Sequence, residues 1–115
     1  MQTAKQVQGQ AGEEAALAYL LQHGLTLVTR NFRCKAGEID LIMREHASLV
    51  FVEVRKRASL DYGGAAASIT PAKQRRLLRA AQVYLLRFKT LPACRFDVVA
   101  IDAGHLSWLK NAIAA

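Results

Sequence analysis

A chain of 115 residues is long enough for one domain, 1–115, with its own core and without metal or disulfide staples. An apolar fraction of 52% excludes a disordered chain, and no apolar run approaches the roughly 18–20 residues of a membrane span. The net charge of +7 favours partners of dense negative charge, nucleic acid before anionic membrane.

The N-terminal stretch MQTAKQVQGQAGEEAALAYL lacks the apolar middle and cleavage site of a signal peptide. Periodic apolar positions, among them Ala11, Ala15, Leu17, Ala18 and Leu21, predict a helix from Lys5 to His23, with Gly24 as its stop. Leu25 to Phe32 is β-branched and apolar and reads as a strand. A turn at Lys35–Gly37 leads into EIDLIM and LVFVEV, a strand pair joined by the polar tip Arg44–Ser48. DYGGAAAS, Asp61 to Ser68, reads as a loop. Thr70 and Pro71 then start a second helix, threonine at the cap and proline at the first helical position. Leu77, Leu78, Ala81, Tyr84, Leu85 and Phe88 form its apolar face. After Leu91-Pro92, RFDVVAID is a strand, HLSWLK a short edge strand or turn, and the tail a weak helix. The order α-β-β-β-α-β-β predicts an α/β domain, a mixed sheet flanked by helices.

Acidic residues interrupt two of these strands. Alternation sends Glu38 and Asp40 to one side and Ile39 and Leu41 to the other, while Glu53 and Arg55 share a face opposite Val52 and Val54. If the two strands pair as a hairpin, Asp40 approaches Glu53. Adjacent carboxylates repel unless a cation lies between them or one takes a proton, and hard ions such as Mg²⁺ are held in that manner. The other reading is a wet hairpin face, with Glu53 and Arg55 as an ordinary cross-strand pair. Against it, Val50, Phe51, Val52 and Val54 suggest a central strand covered on both faces.

Positive charge is concentrated downstream: Arg55, Lys56, Arg57, Lys73, Arg75, Arg76, Arg79, Arg87 and Lys89, with Asp61 the only acid after Glu53 in that stretch. Arg55, Arg57, Lys73, Arg75, Arg76 and Arg79 are candidate phosphate contacts, which position a duplex and carry little sequence information; a solvated helix face is the plainer alternative. No zinc finger, aromatic RNP pair or basic zipper is present. His23, His46 and His105 are scattered, and Cys34 and Cys94 lack metal-ligand spacing. They read as free thiols of a cytoplasmic protein. Tyr84 and Trp108 read as packing residues.

The series GQAGEEAALAYL, RNFR, GEIDLI, FVEVRKR and RFDVVAI resembles the YraN family, also called UPF0102, from about Gly9 to Ile101. That family is similar in pattern to Holliday-junction resolvases and to the restriction-endonuclease-like, or PD-(D/E)xK, nucleases. The resemblance implies a restriction-endonuclease-like mixed sheet and hydrolysis of DNA phosphodiesters with Mg²⁺ or Mn²⁺ and no organic cofactor. It implies that Asp40 and Glu53, with the Val54 carbonyl, hold the ion, that Glu13 on the first helix assists, and that Glu38 is supportive. Arg55 stands where the tripeptide has lysine. Arginine stabilises charge but is a poor proton acceptor, so the resemblance leaves two functions open: a structure-selective endonuclease on branched or single-stranded DNA, or a DNA-binding module with a degenerate site. Lys56 points away from Arg55 unless a bulge intervenes, and Lys73 is the other lysine within reach. Resolvase-like relatives act as dimers, so a homodimer is compatible by analogy. A third reading, a protein-interaction domain with surface carboxylates, makes Asp40→Asn and Glu53→Gln silent for ligands.

Overall fold

The computed structural model describes residues 4–57 and 68–113; the loop expected at Asp61–Ser68 lies, apart from Ser68, outside the described residues. Helix α1 (Ala4–Gln22) is followed by strands β1 (Thr26–Cys34), β2 (Gly37–Glu45) and β3 (Ser48–Arg57), helix α2 (Pro71–Leu85) and strands β4 (Cys94–Asp102) and β5 (His105–Leu109). The five strands form one sheet in the order β1-β2-β3-β4-β5. Only β3 and β4 run parallel, and α2 is the helix of the connection between them, as parallel neighbours require. This is the α/β mixed sheet expected from the order of elements.

Local chemistry sets the boundaries. The Leu25 and Gly24 amides donate to the carbonyls of Leu20 and Leu21 at 3.1 and 3.2 Å. Gly24 lies at φ 93°, a left-handed cap that glycine adopts without a Cβ penalty. At the other helix Thr70 Oγ1 accepts from the Lys73 amide at 3.2 Å and Pro71 occupies the first turn, as the sequence predicts.

Two cores lie on opposite faces of the sheet. Leu77, Ala80, Ala81 and Tyr84 of α2 pack on Leu49, Phe51, Phe96 and Val98. Ala16, Leu17 and Leu20 of α1 pack on Val50, Val52, Val99 and Ile101. β3 therefore alternates between two covered faces, as a central strand must. Tyr84 is buried against Phe51, and Trp108 packs edge-on to Tyr19, which fits their reading as packing residues. No helix of the described residues is long and apolar enough to cross a membrane.

Two local expectations are corrected and one alternative is decided. Residues 110–113 are turn and bend rather than helix. Asn111 takes φ 52° and gives its amide to Asp97 Oδ1 at 2.9 Å, while Ile113 is buried beneath α2. HLSWLK resolves as the edge strand β5. Finally, Ile39 and Leu41 do not share a face: Ile39 belongs to the α2 core and Leu41 to the α1 core. Alternation breaks between them, where Asn31 on the neighbouring strand adopts φ 52° and the regular pairing steps from Arg30–Leu41 to Phe32–Ile39.

Candidate active site

The break falls at Asp40. The β2–β3 ladder ends at Leu41–Val52, and one further step in the same antiparallel register puts Asp40 opposite Glu53. There Asp40 Oδ2 accepts the Val54 amide at 2.8 Å, so a side chain takes the place of a ladder carbonyl and is fixed by β3. Glu53 stands beside it with its side chain only 16% exposed. The two carboxyls are within hydrogen-bonding reach of each other.

They line a cleft of about 270 Å³ with Gly37, Glu38, Arg55, Lys73, Arg76 and Leu77. One wall is the start of β2 with the end of β3, and the other is the first turns of α2. Arg55 Nε lies 3.4 Å from Glu53 Oε1 but makes no hydrogen bond and is buried. The pairing of β3 with β4 runs unbroken from Leu49–Cys94 to Arg57–Asp102. No bulge intervenes, and Lys56 accordingly faces α1, where its stem lies about 3.5 Å from the position of a Cβ on Gly12.

Burial pushes the Glu53 carboxyl up to about 8, the Asp40 charge adds to the rise, and Arg55 opposes it. Asp40 is raised as well, by burial, against the pull of the Val54 amide and of Glu53. The pair thus retains a proton at neutral pH. A carboxyl whose pKa is higher folded than unfolded binds more protons in the native state between the two values, so stability falls as pH rises. The metal-free protein is expected to lose on the order of a few kcal/mol as pH goes from about 4.5 to about 8. Glu53→Gln should flatten most of that slope; a parallel slope in the variant, read by urea denaturation across pH, would contradict the assignment.

The donors fit a hard divalent ion. Two buried carboxyls that repel one another, with room for water beside them, match Mg²⁺ or Mn²⁺, which take one or two carboxylates and keep several waters. No three of His, Cys, Asp and Glu converge as a metal-holding group among the described residues.

The structure brings together Asp40, Glu53, Arg55, Lys73 and Arg76 and places Glu38 on the rim, 3.5 Å from Arg33. Glu13 approaches from α1, on the other side of the sheet. Its carboxyl is raised by burial and by the Asp40 charge and receives a hydrogen bond from Asn31, yet it is not among the cleft residues. Val54 enters the site through its amide. Arg57 is exposed and its charge reaches Lys73; Arg75 and Arg79 are exposed on α2 away from the cleft lining.

Gly37 is a cleft residue that sequence reasoning treats only as a turn glycine. A Cβ there would lie 2.9 Å from the Arg76 carbonyl oxygen, so the absent side chain lets the β1–β2 turn seat directly on α2. Gly37→Ala is expected to destabilise by about 1–3 kcal/mol through overpacking and to shift Lys73 and Arg76 relative to the carboxyls. An unchanged melting temperature would count against this close approach.

A family model described as "Uncharacterised protein family UPF0102" matches residues 12–101. A UPF0102 protein of Herminiimonas arsenicoxydans is 63% identical over 111 residues, 96% of this chain and 90% of the relative. One from Janthinobacterium sp. (strain Marseille) is 62% identical over 98% of this chain and 92% of its own length. One from Methylibium petroleiphilum is 52% identical over 100% of this chain and 99% of the relative.

Proposed function

The chain belongs to the uncharacterised protein family UPF0102, and for it we propose an endonuclease-like function: metal-dependent binding and hydrolysis of DNA phosphodiesters, selective for branched or single-stranded structure. The observation that carries this reading is the buried carboxyl pair Asp40–Glu53 sharing one small cleft with Arg55, Lys73 and Arg76. Carboxyls alone could serve a fold, and cations alone could be a solvated surface. Opposed in one cleft, they suit a divalent ion and a phosphate together. The arrangement also agrees with the resemblance to restriction-endonuclease-like proteins, in which helices flank a mixed sheet and acids lie on adjacent strands.

A Mg²⁺ or Mn²⁺ ion, when bound, would polarise a phosphate oxygen and acidify a water. The chain's own residues do the rest. Asp40, tied to the Val54 amide, and Glu53 hold the negative wall in place. Lys73 and Arg76 of α2 offset charge on the non-bridging oxygens, and Arg55 balances the carboxyls. In the overall reaction a water oxygen bonds to phosphorus and one phosphorus–oxygen ester bond breaks. One water proton ends on the departing alkoxide and the other on the new phosphate monoester. Among the described residues the cleft lining is charged and offers no aromatic side chain on which a base could stack, so recognition runs through the backbone and strand geometry.

The Arg55–Glu53 ion pair supports a second reading, a DNA-binding module that does not cut. Purified protein incubated with four-way junction, flap, single-stranded and linear duplex DNA, in Mg²⁺, Mn²⁺ or EDTA, separates the two. Metal-dependent cleavage of a branched or single-stranded substrate is the expected result. Binding in EDTA without cleavage under any condition supports the module. Absence of any affinity at low salt, where phosphate contacts are strongest, overturns both.

A further inference from the structure

We propose that Lys73 is the residue that grips the scissile phosphate, and that Arg55 is held back as the partner of Glu53. This rests on the endonuclease-like reading of the cleft and assigns its cations different tasks.

Arg55 is committed on its own strand. Its Nε is buried 3.4 Å from Glu53 Oε1, and the unbroken β3–β4 pairing fixes the backbone that carries both residues. A permanently charged guanidinium there balances the carboxyl pair. Lys73 is placed differently. It sits in the first turn of α2, on the opposite wall, with its amide on the Thr70 cap. That turn contains no acidic residue, and among the described residues Lys73 has no salt bridge, whereas Arg30, Arg33, Arg55 and Arg95 each do. Its ammonium is crowded by the charges of Arg55, Arg76 and Arg57, and Glu53 opposes them.

An uncommitted, partly desolvated ammonium ringed by cations is a poor place for a resting salt bridge and a good place for an arriving anion. The nearest space is the cleft itself, bounded across from Lys73 by Asp40 and Glu53. A phosphate bridging the two walls would meet the ion-binding carboxyls on one side and three rotatable N–H donors on the other. The same donors can hold an attacking water without any change in their own charge. The cap at Thr70 and the seat of Gly37 on Arg76 fix how far the lysine stands from the carboxyls.

The test compares wild type, Lys73→Gln, Lys73→Arg and Arg55→Gln on a labelled four-way junction. Single-turnover cleavage is followed in Mg²⁺ and equilibrium binding in Ca²⁺ over a salt series. For Lys73→Gln the cleavage rate should fall about 10²–10³-fold, as on loss of a donor to developing charge. Its affinity should fall by less than about tenfold, with a salt slope shallower by about one unit. Lys73→Arg should recover the slope and part of the rate, which a merely structural role of Lys73 would not predict. Wild-type rate and slope in Lys73→Gln, with the losses appearing in Arg55→Gln, would overturn the assignment and leave the endonuclease reading standing. If wild type binds without cutting, the salt slope alone decides, an unchanged slope in Lys73→Gln being contrary. If wild type neither binds nor cuts, the endonuclease reading fails and this assignment fails with it.

Discussion

Asp40→Asn should lower metal-dependent DNA cleavage by about 10²–10⁴-fold while leaving the protein folded. The direction follows from where Asp40 stands. It is one of two buried carboxyls in the cleft, and the Val54 amide aims it at 2.8 Å. Asparagine keeps an oxygen for that amide, so the end of the β2–β3 ladder survives, but it removes the charge a hard ion needs. Loss of the ion's share of transition-state stabilisation amounts to several kcal/mol, and each 1.36 kcal/mol is about a decade in rate. A second consequence separates electrostatics from damage. Without the Asp40 charge, which raises Glu53, the Glu53 carboxyl should ionise at lower pH and pair more firmly with Arg55. The variant should therefore melt within about 1 kcal/mol of wild type near neutral pH, since surviving hydrogen bonds and relieved repulsion work in its favour. Cleavage at the wild-type rate would remove Asp40 from the chemistry.

The largest loss of stability is expected at the other face of the sheet. Asp97 is fully buried, the only charged residue so placed among those described. Its Oδ1 accepts from Arg95 Nε at 3.0 Å and from the Asn111 amide at 2.9 Å. Its Oδ2 accepts from Arg95 Nε at 3.2 Å and from Trp108 Nε1 at 2.9 Å. Arg95 in turn donates to Glu45 at 2.7 Å, which holds the Glu45 carboxyl below its ordinary range. The carboxylate thus ties β4 to β2, β5 and the tail. Asp97→Ala leaves a half-buried guanidinium, an indole N–H and a backbone amide without their acceptor, at about 3–5 kcal/mol. For a domain of this size the melting temperature should fall by more than about 10 °C. Asp97→Asn should be nearly as harmful, because both oxygens accept from two donors and the amide nitrogen must face one pair. A loss below about 1 kcal/mol in either variant would contradict this account of the network.

Asp97 also shows where the sequence was and was not legible. Glu53 and Asp97 are both acids inside apolar strand runs, and nothing in either run tells them apart. The difference is which face each occupies. Register puts Asp97 beside Val52, on the α1 face, where Arg95, Trp108 and Asn111 can reach it. Glu53, one position on, faces α2 and finds Asp40 instead. Donors for Asp97 come from the start of β4, from β5 and from the tail, and a tail read as weak helix cannot supply them.

The approach of Asp40 to Glu53 was legible because a short hairpin fixes register and alternation fixes the side. Alternation likewise placed Arg55 toward the cleft and Lys56 away from it. It failed at Asp40 itself, where Ile39 and Leu41 enter different cores. There Asn31 on the neighbouring strand takes a left-handed φ, a backbone feature across the sheet that alternation along β2 does not show. Lys73 and Arg76 are separated from Glu53 by the connection to α2, so helical spacing alone cannot show that they, and not Arg75 or Arg79, line the cleft. Gly37 carried no signal beyond a turn, since its role depends on the backbone of a helix almost forty positions away.

The most direct test of the candidate site is a crystal structure of the protein soaked in Mn²⁺, read by anomalous scattering. A peak in contact with both Asp40 and Glu53 is expected. A map with no peak there, and Glu53 closed on Arg55 as a dry pair, would contradict it.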